Sequence, residues 1–380
     1  MKKRHAIFWA IFRPIVILFL KIRFGYRYQK PKKLPKNYIV VANHATDYDM
    51  LLVGVAFPRQ MYFVGSEHIS RWKRLYPFLQ FAFAPILRYK GMLATSGVKE
   101  ILHRTRKGGN VCLFAEGVRT WDGRPSPILP STASLIKRAG CGLVTYRLIG
   151  GYFVSPVWSG PNLRRGELRG EPVNVYTKEQ IDAMTNDELY AAILRDVGED
   201  AYARQQESPK RYRGKRLAEG LDRVLYLCPS CRQNGTLYAE GNEVRCEGCA
   251  LAFRYDEYGM LLDCPYPTVK DFVAWQREEL EKDVREGKSC RVPHAKLSLV
   301  EKHDESIVAE GELAITPETL SCGEFSVPLS ELFDLAIHGR NALVFTANKN
   351  YYELILPTGS ALKFVDYFRA VRKLGAEIAK

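Results

Sequence analysis

Apolar and polar positions follow three different rhythms along the chain. The first is AIFWAIFRPIVILFL at 6–20, fifteen residues of nearly continuous apolar character broken by Arg13 and Pro14. That falls short of the roughly 20 residues a membrane span needs. Lys21 and Arg23 follow it in place of a small-residue cleavage site, which argues against a signal peptide. From 37 to 207, short apolar runs alternate with stretches long enough for helices; the runs include YIVVA (38–42), NVCLFAEG (110–117) and GLVTYRLIG (142–150). This alternation predicts an α/β domain on a mainly parallel sheet, closed by helical composition over 178–207. From 291 the rhythm shortens to strand-like runs at 297–301, 306–316, 324–329, 332–339, 342–348 and 351–357, before Phe364, Phe368 and Val371 at helical spacing.

The C-terminal pattern, several antiparallel strands and one amphipathic helix, resembles a pleckstrin-homology or GRAM-like barrel with a terminal helix, although a β-sandwich plus helix fits the same pattern. The chain then divides into a basic apolar membrane-interface anchor (1–36), the α/β domain (37–207), a basic linker (208–223), a cysteine-bearing module (224–256), a connecting helix (257–290) and the strand-rich end (291–380).

Composition changes this picture in two places. A hydrophobic fraction of 46% in 380 residues is ample for packed cores. Eleven basic residues precede Asp47, the first acidic one, against a net charge of +14 for the whole chain. A basic end suggests an anionic partner. Because these cations flank an apolar segment, the partner expected is a lipid leaflet, with the protein peripheral or monotopic on the cytoplasmic face. Nine cysteines, four of them in paired knuckles, suit a reducing compartment better than a disulfide scaffold.

Candidate chemistry begins at NHATDYDM (43–50). Five residues of ideal helix turn the chain by roughly 500°, so His44 and Asp49 cannot meet easily on one helix. They can meet if His44 lies in the loop after strand 38–42 and Asp49 on the first turn of the next helix, with Thr46 or Asp47 as cap. With one ring nitrogen held by Asp49, the other becomes a positioned base. Taken alone, the spacing reads first as a capping turn with a solvated histidine. A second strand end changes that: LFAEGVRT (113–120) brings Glu116, a turn-forming Gly117 and the phosphate-suited fork of Arg119 to the end of an apolar strand.

Here the sequence resembles the phospholipid/glycerol acyltransferase superfamily, typified by lysophosphatidic acid acyltransferases, over about residues 37 to 200. NHATDYD matches the family's Asn-His-…-Asp motif, with Thr46 in its serine position. FAEGVRT keeps Phe114, Glu116, Gly117 and Arg119 of the Phe-Pro-Glu-Gly-Thr-Arg-Ser motif, but departs at Ala115, Val118 and Thr120. FAPILRYKG supplies Arg88 with Ala82 in a glycine position, and LVTY (143–146) has Thr145 in place of a proline. The resemblance implies transfer of a fatty acyl group from acyl-CoA or acyl carrier protein to the free hydroxyl of lysophosphatidic acid or a related lysophospholipid. His44 would be the base and Asp49 its orienting carboxylate. Asn43, Arg88, Glu116, Gly117 and Arg119 would bind the acceptor, and acyl carrier protein would be a partner. The alternative is an inactive lipid- or protein-binding regulator on the same fold. Cys112, mid-strand between Val111 and Leu113, reads as core.

CPSC (228–231), fourteen residues, then CEGC (246–249) has the spacing of a tetrathiolate zinc ribbon, with Cys228, Cys231, Cys246 and Cys249 as ligands and TLYAEGNEV as the intervening hairpin. Iron in a rubredoxin-like site is the alternative. Four thiolates leave no open position, which makes the role structural. Between these cysteines the cations are Arg232 and Arg245, too few for a phosphate stripe, so nucleic acid ranks last among partners.

Overall fold

The computed structural model describes residues 3–88, 95–301 and 304–378. They form two compact units. One runs to Arg213 apart from 158–162; the second takes 158–162 and everything from Gly214.

The first unit opens with α1 (Lys3–Phe24). The helix passes through Pro14 and incorporates the flanking cations, so it reaches 22 residues and is, by length and composition, able to cross a membrane. The apolar run within it remains the fifteen residues from Ala6 to Leu20. Trp9, Leu20 and Phe24 are buried, while Ile7, Ile11, Ile15, Leu18 and Ile22 are each more than half exposed.

There follow β1 (Arg27–Tyr28), β2 (Tyr38–Ala42), α2 (Asp49–Gly54), β3 (Met61–Ser66), α3 (Tyr76–Ala82), β4 (Ile86–Arg88), α4 (Thr95–Arg106), β5 (Asn110–Phe114), α5 (Ser131–Ala139), β6 (Gly142–Ile149), the short α6 (Gly151–Val154) and β7 (Arg169–Tyr176). The strands lie in the order β1-β7-β6-β2-β5-β3-β4, parallel throughout except at β6–β7. The sheet is therefore mixed, with the expected parallel character at its centre. All of β2 is buried, as its unbroken apolar run requires of a strand covered on both faces. Ile39 and Val41 pack with Ile101, Ala133, Ile136 and Ile193 on one side. Alternation turns Tyr38 and Val40 to the other.

The helical stretch 178–207 is three helices rather than one: α7 (Lys178–Ala183), α8 (Asn186–Val197) and α9 (Ala201–Glu207). Thr177 with Gln180, and Thr185 with Glu188, form capping boxes, and Asp200 caps the third. Thr145, the residue in the proline position, donates its hydroxyl to buried Asp196 of α8 at 2.9 Å, joined there by Asn174 and Tyr176 of β7.

In the second unit β8 (Leu237–Glu240), β9 (Glu243–Cys246), β10 (Ala252–Tyr255) and β11 (Leu261–Leu262) make a small antiparallel sheet. After α10 (Val269–Arg285) come β12 (Cys290–Glu301), β13 (Asp304–Ile315), β14 (Thr319–Cys322), β15 (Phe325–Pro328), β16 (Leu335–His338), β17 (Ala342–Ala347), β18 (Asn350–Ile355) and α11 (Ala361–Ile378). These strands form one antiparallel sheet in the order β15-β14-β13-β12-β18-β17-β16. Phe364, Val365 and Phe368 bury one face of α11.

Candidate active site

Three neighbouring strands, β6, β2 and β5, end side by side, and an α/β sheet offers its ligand crevice at such carboxyl ends. His44 stands in the loop after β2, and Asp49 is the first residue of α2. His44 Nδ1 and Asp49 Oδ2 are 2.8 Å apart. The loop-to-helix bend that five-residue spacing demands is present, but its cap differs from expectation. Tyr48 occupies the N-cap with no side-chain bond. Thr46 Oγ1 instead accepts from the Tyr48 N–H at 3.0 Å and donates to Asp49 Oδ1 at 2.6 Å. Asp49 also accepts from the N–H groups of Ala45 and Thr46. Its carboxylate is thus fully engaged, and it fixes the histidine ring against Phe114, stacked at 4.8 Å between centroids. His44 keeps a quarter of its side chain exposed, and its Nε2 has no hydrogen-bond partner among the described residues.

The β5 end is tied to this loop. Glu116 Oε1 accepts the His44 N–H at 3.1 Å, Oε2 accepts the Ser126 N–H at 2.7 Å, and the Thr120 N–H reaches the His44 carbonyl at 3.3 Å. Burial pushes the Glu116 carboxyl up to about 7, against the lowering effect of the two N–H donors; the Asp49 charge adds to the rise. Gly117 has φ +70°, and a Cβ there would lie 2.5 Å from Arg88 Nη1. Both facts require glycine, and they place the Arg88 guanidinium, from the end of β4, directly over the turn. Tyr89, Lys90 and Gly91 of the same motif lie outside the described residues. Arg119 forms an ion pair with Asp47 at 3.1 Å, so Asp47 serves as counter-ion to Arg119 and not as a helix cap.

Asn43 is turned away from this surface. Its side chain donates to the Leu148 carbonyl at 2.8 Å and accepts the Leu148 N–H at 2.7 Å, imitating a strand partner for β6. Sequence reading missed Ser126 and Gly151. Ser126 acts chiefly through its backbone N–H, with a lesser contribution from its hydroxyl, and a main-chain donor leaves no signal in residue type. Gly151 had one: a glycine pair directly after an apolar strand. A Cβ on Gly151 would come within 2.8 Å of Ala45 Cβ, so the loop holding His44 rests on it. Asn43, His44, Glu116, Thr120, Gly151 and Tyr152 border a small cavity behind the loop.

In the second unit, Cys228, Cys231, Cys246 and Cys249 bring their sulfurs within 4.8 Å of one another, from two knuckles joined by the β8–β9 hairpin. Sγ of Cys228 and Cys249, and of Cys231 and Cys246, are 3.7 Å apart. Cys112, Cys290 and Cys322 are buried, and Cys264 is half-buried.

A mixed α/β sheet that presents a histidine–aspartate pair at one strand end and a Glu-Gly turn at the next defines an acyltransferase-type domain. The family model described as Acyltransferase matches residues 25–158, and over this part the chain is similar to the phospholipid/glycerol acyltransferase superfamily. Among solved structures, the chain is similar to the 1-acyl-sn-glycerophosphate (LPA) acyltransferase PlsC from Thermotoga maritima, at 17% identity and a TM-score of 0.43, over 55% of this chain and 84% of that one. It is also similar to the C-terminal domain of an unknown protein from Leishmania infantum, at 17% identity and a TM-score of 0.14, over 28% of this chain and 99% of that one. No curated protein matches.

Proposed function

We propose that the protein is an O-acyltransferase that esterifies the free hydroxyl of lysophosphatidic acid or a related lysophospholipid, with acyl-CoA or acyl carrier protein as donor, in phospholipid synthesis. The observation that carries this is the His44–Asp49 pair, with Nδ1 held at 2.8 Å and Nε2 left open on a partly exposed ring. Nε2 takes the acceptor's hydroxyl proton as that oxygen attacks the thioester carbonyl. The C–S bond breaks, the thiolate recovers the proton from the imidazolium, and an ester and a free thiol leave. Asp49 stabilises the transient cation. Arg88, over Gly117, is suited to the acceptor's phosphate.

The four-sulfur cluster fits zinc. A Zn–S bond of about 2.3 Å in a tetrahedron sets sulfurs roughly 3.8 Å apart, and two pairs lie at 3.7 Å. Cys228, Cys231, Cys246 and Cys249 would hold the ion in a structural ribbon. The seven-stranded antiparallel sheet with its terminal helix supports a PH/GRAM-like reading of the C-terminal end. The exposed apolar stripe on α1, flanked by cations, supports association with the cytoplasmic face of a membrane.

The test is lysophosphatidic acid with an acyl thioester, following phosphatidic acid and released thiol together. His44→Ala should abolish both while the far-UV spectrum is unchanged. Turnover surviving that substitution removes His44 as the base. The Arg119–Asp47 pair, which occupies one guanidinium suited to phosphate, favours the regulator as second reading. Lipid binding without turnover across a panel of lysolipid acceptors would establish it.

A further inference from the structure

Arg13 interrupts the apolar run of α1, and the fold gives it a place. Its Nε and Nη2 donate to the Val55 carbonyl, at the end of α2, at 3.1 and 2.8 Å. Beside it lies a cavity of ≈ 340 Å³, lined from α1 by Trp9, Arg13 and Pro14 and from the chain entering β3 by Pro58, Arg59 and Gln60. That volume falls among small-molecule sites. Arg59 is exposed, with Nη1 on the Lys36 carbonyl at 2.6 Å. Neither arginine has a carboxylate partner among the described residues, and no acidic side chain lines the cavity. Two buried polar atoms of its lining residues, Trp9 Nε1 and Gln60 Oε1, have no hydrogen-bond partner among the described residues. Two guanidiniums with donors to spare on one wall-to-wall gap match a phosphate group.

The surroundings select the source of that phosphate. At roughly 100° per residue, Ile7, Ile11, Ile15, Leu18 and Ile22 form one narrow stripe, 58–69% exposed. Pro14 lies at the edge of this stripe, and Trp9 and Arg13 lie roughly 160° from its centre, so the cavity flanks α1 on the side away from the apolar stripe, the headgroup side of a helix lying in the interface. It shares no residue with the cavity at His44. Residues 58–60 also enter the amino end of β3, whereas His44 follows the carboxyl end of β2, so the two sites occupy opposite edges of the sheet.

We propose that this cavity is a headgroup site for an anionic membrane phospholipid, with its phosphate held between Arg13 and Arg59, separate from the acceptor site. It needs α1 to lie at a lipid surface but does not need His44 to be a base. Bound there, a resident lipid fixes α1 in the plane of the interface.

The experiment uses the full chain with phosphatidylcholine vesicles, with and without phosphatidylglycerol. Arg59→Glu should bind the anionic vesicles roughly tenfold more weakly, the loss expected of a charge-assisted hydrogen bond. Lys32→Glu makes the same charge change on an exposed residue of the basic segment, and should cost far less. Equal losses from the two variants overturn the site in favour of diffuse attraction. Monomeric dihexanoyl phosphatidylglycerol should change tryptophan emission in the wild type and not in Trp9→Phe. The same change from free glycerol 3-phosphate at the same concentration overturns the lipid assignment. Arg59→Glu should retain acyl transfer to detergent-dispersed acceptor, so failure here is distinguishable from failure of the proposed reaction.

Discussion

Glu116 accepts the backbone N–H of His44 at 3.1 Å and that of Ser126 at 2.7 Å. A carboxylate that motif reasoning assigns to the acceptor is therefore committed to the peptide of the proposed base. Glu116→Gln keeps the size but turns an NH2 group toward one of two N–H donors. One buried bond is lost, at a cost of about 1–3 kcal/mol. We expect a lower melting temperature together with a lower kcat, and little change in acceptor KM. A rise in KM at unchanged kcat would return Glu116 to acceptor binding.

The same residue sets a pH dependence. Its folded value of about 7 lies above the ordinary carboxylate range, so the folded state holds its proton more tightly than the unfolded chain. The resulting stability is fully present below the unfolded value and is lost as pH rises toward about 7. The full effect is on the order of 3 kcal/mol. Thermal melts across this window should show wild type losing stability relative to Glu116→Gln. Parallel curves would show that the carboxylate is ionised throughout.

Asp49 accepts from the His44 ring, from two backbone N–H groups and from the Thr46 hydroxyl. Asn at this position offers one acceptor where two are needed and no charge for the imidazolium. Asp49→Asn should lower kcat roughly 10²–10⁴-fold, the usual range of general acid–base catalysis. Thr46→Val removes one donor to the same carboxylate and should lower it far less. Comparable losses would mean that loop geometry, and not the charge, matters.

The pairing of His44 with Asp49 was legible in the sequence because the apolar run YIVVA announces the strand that ends just before it. The roles of Asn43 and Glu116 were not. Both use side chains to satisfy backbone groups of distant segments, Leu148 and Ser126, and sequence records no long-range pairing of that kind. The Arg119–Asp47 pair escaped for a similar reason: two motifs read separately give no hint that their charges meet. Arg13 and Pro14 interrupt the apolar run in the sequence, yet the helix continues through both. Arg13 is accommodated by the Val55 carbonyl.

Thr145 shows how a departure from motif can be structural. With exposed Asn174 and buried Tyr176, its hydroxyl meets Asp196, which is 1% exposed. Thr145→Val should cost about 1–3 kcal/mol of stability by leaving Asp196 short of a donor, with kcat/KM for each acceptor unchanged. Altered acceptor preference in a stable variant would place Thr145 in the acceptor pocket instead.

Metal removal tests the cysteine module. The four-stranded sheet β8–β11 is short, and Leu237, Val244, Phe253 and Tyr255 provide much of its buried apolar surface. Structural zinc contributes roughly 10–16 kcal/mol of apparent binding energy, more than so small a core supplies. A chelator, or Cys246→Ser, should therefore raise amide exchange across residues 228–255. Strands β2 and β5, built on the separate core around Ile39 and Val111, should stay protected. The purified protein should carry one colourless metal equivalent, since four thiolates close a single tetrahedral site. Visible iron absorbance would replace zinc by iron. Unchanged exchange after complete metal loss would show that the hairpin and knuckles hold their shape without an ion.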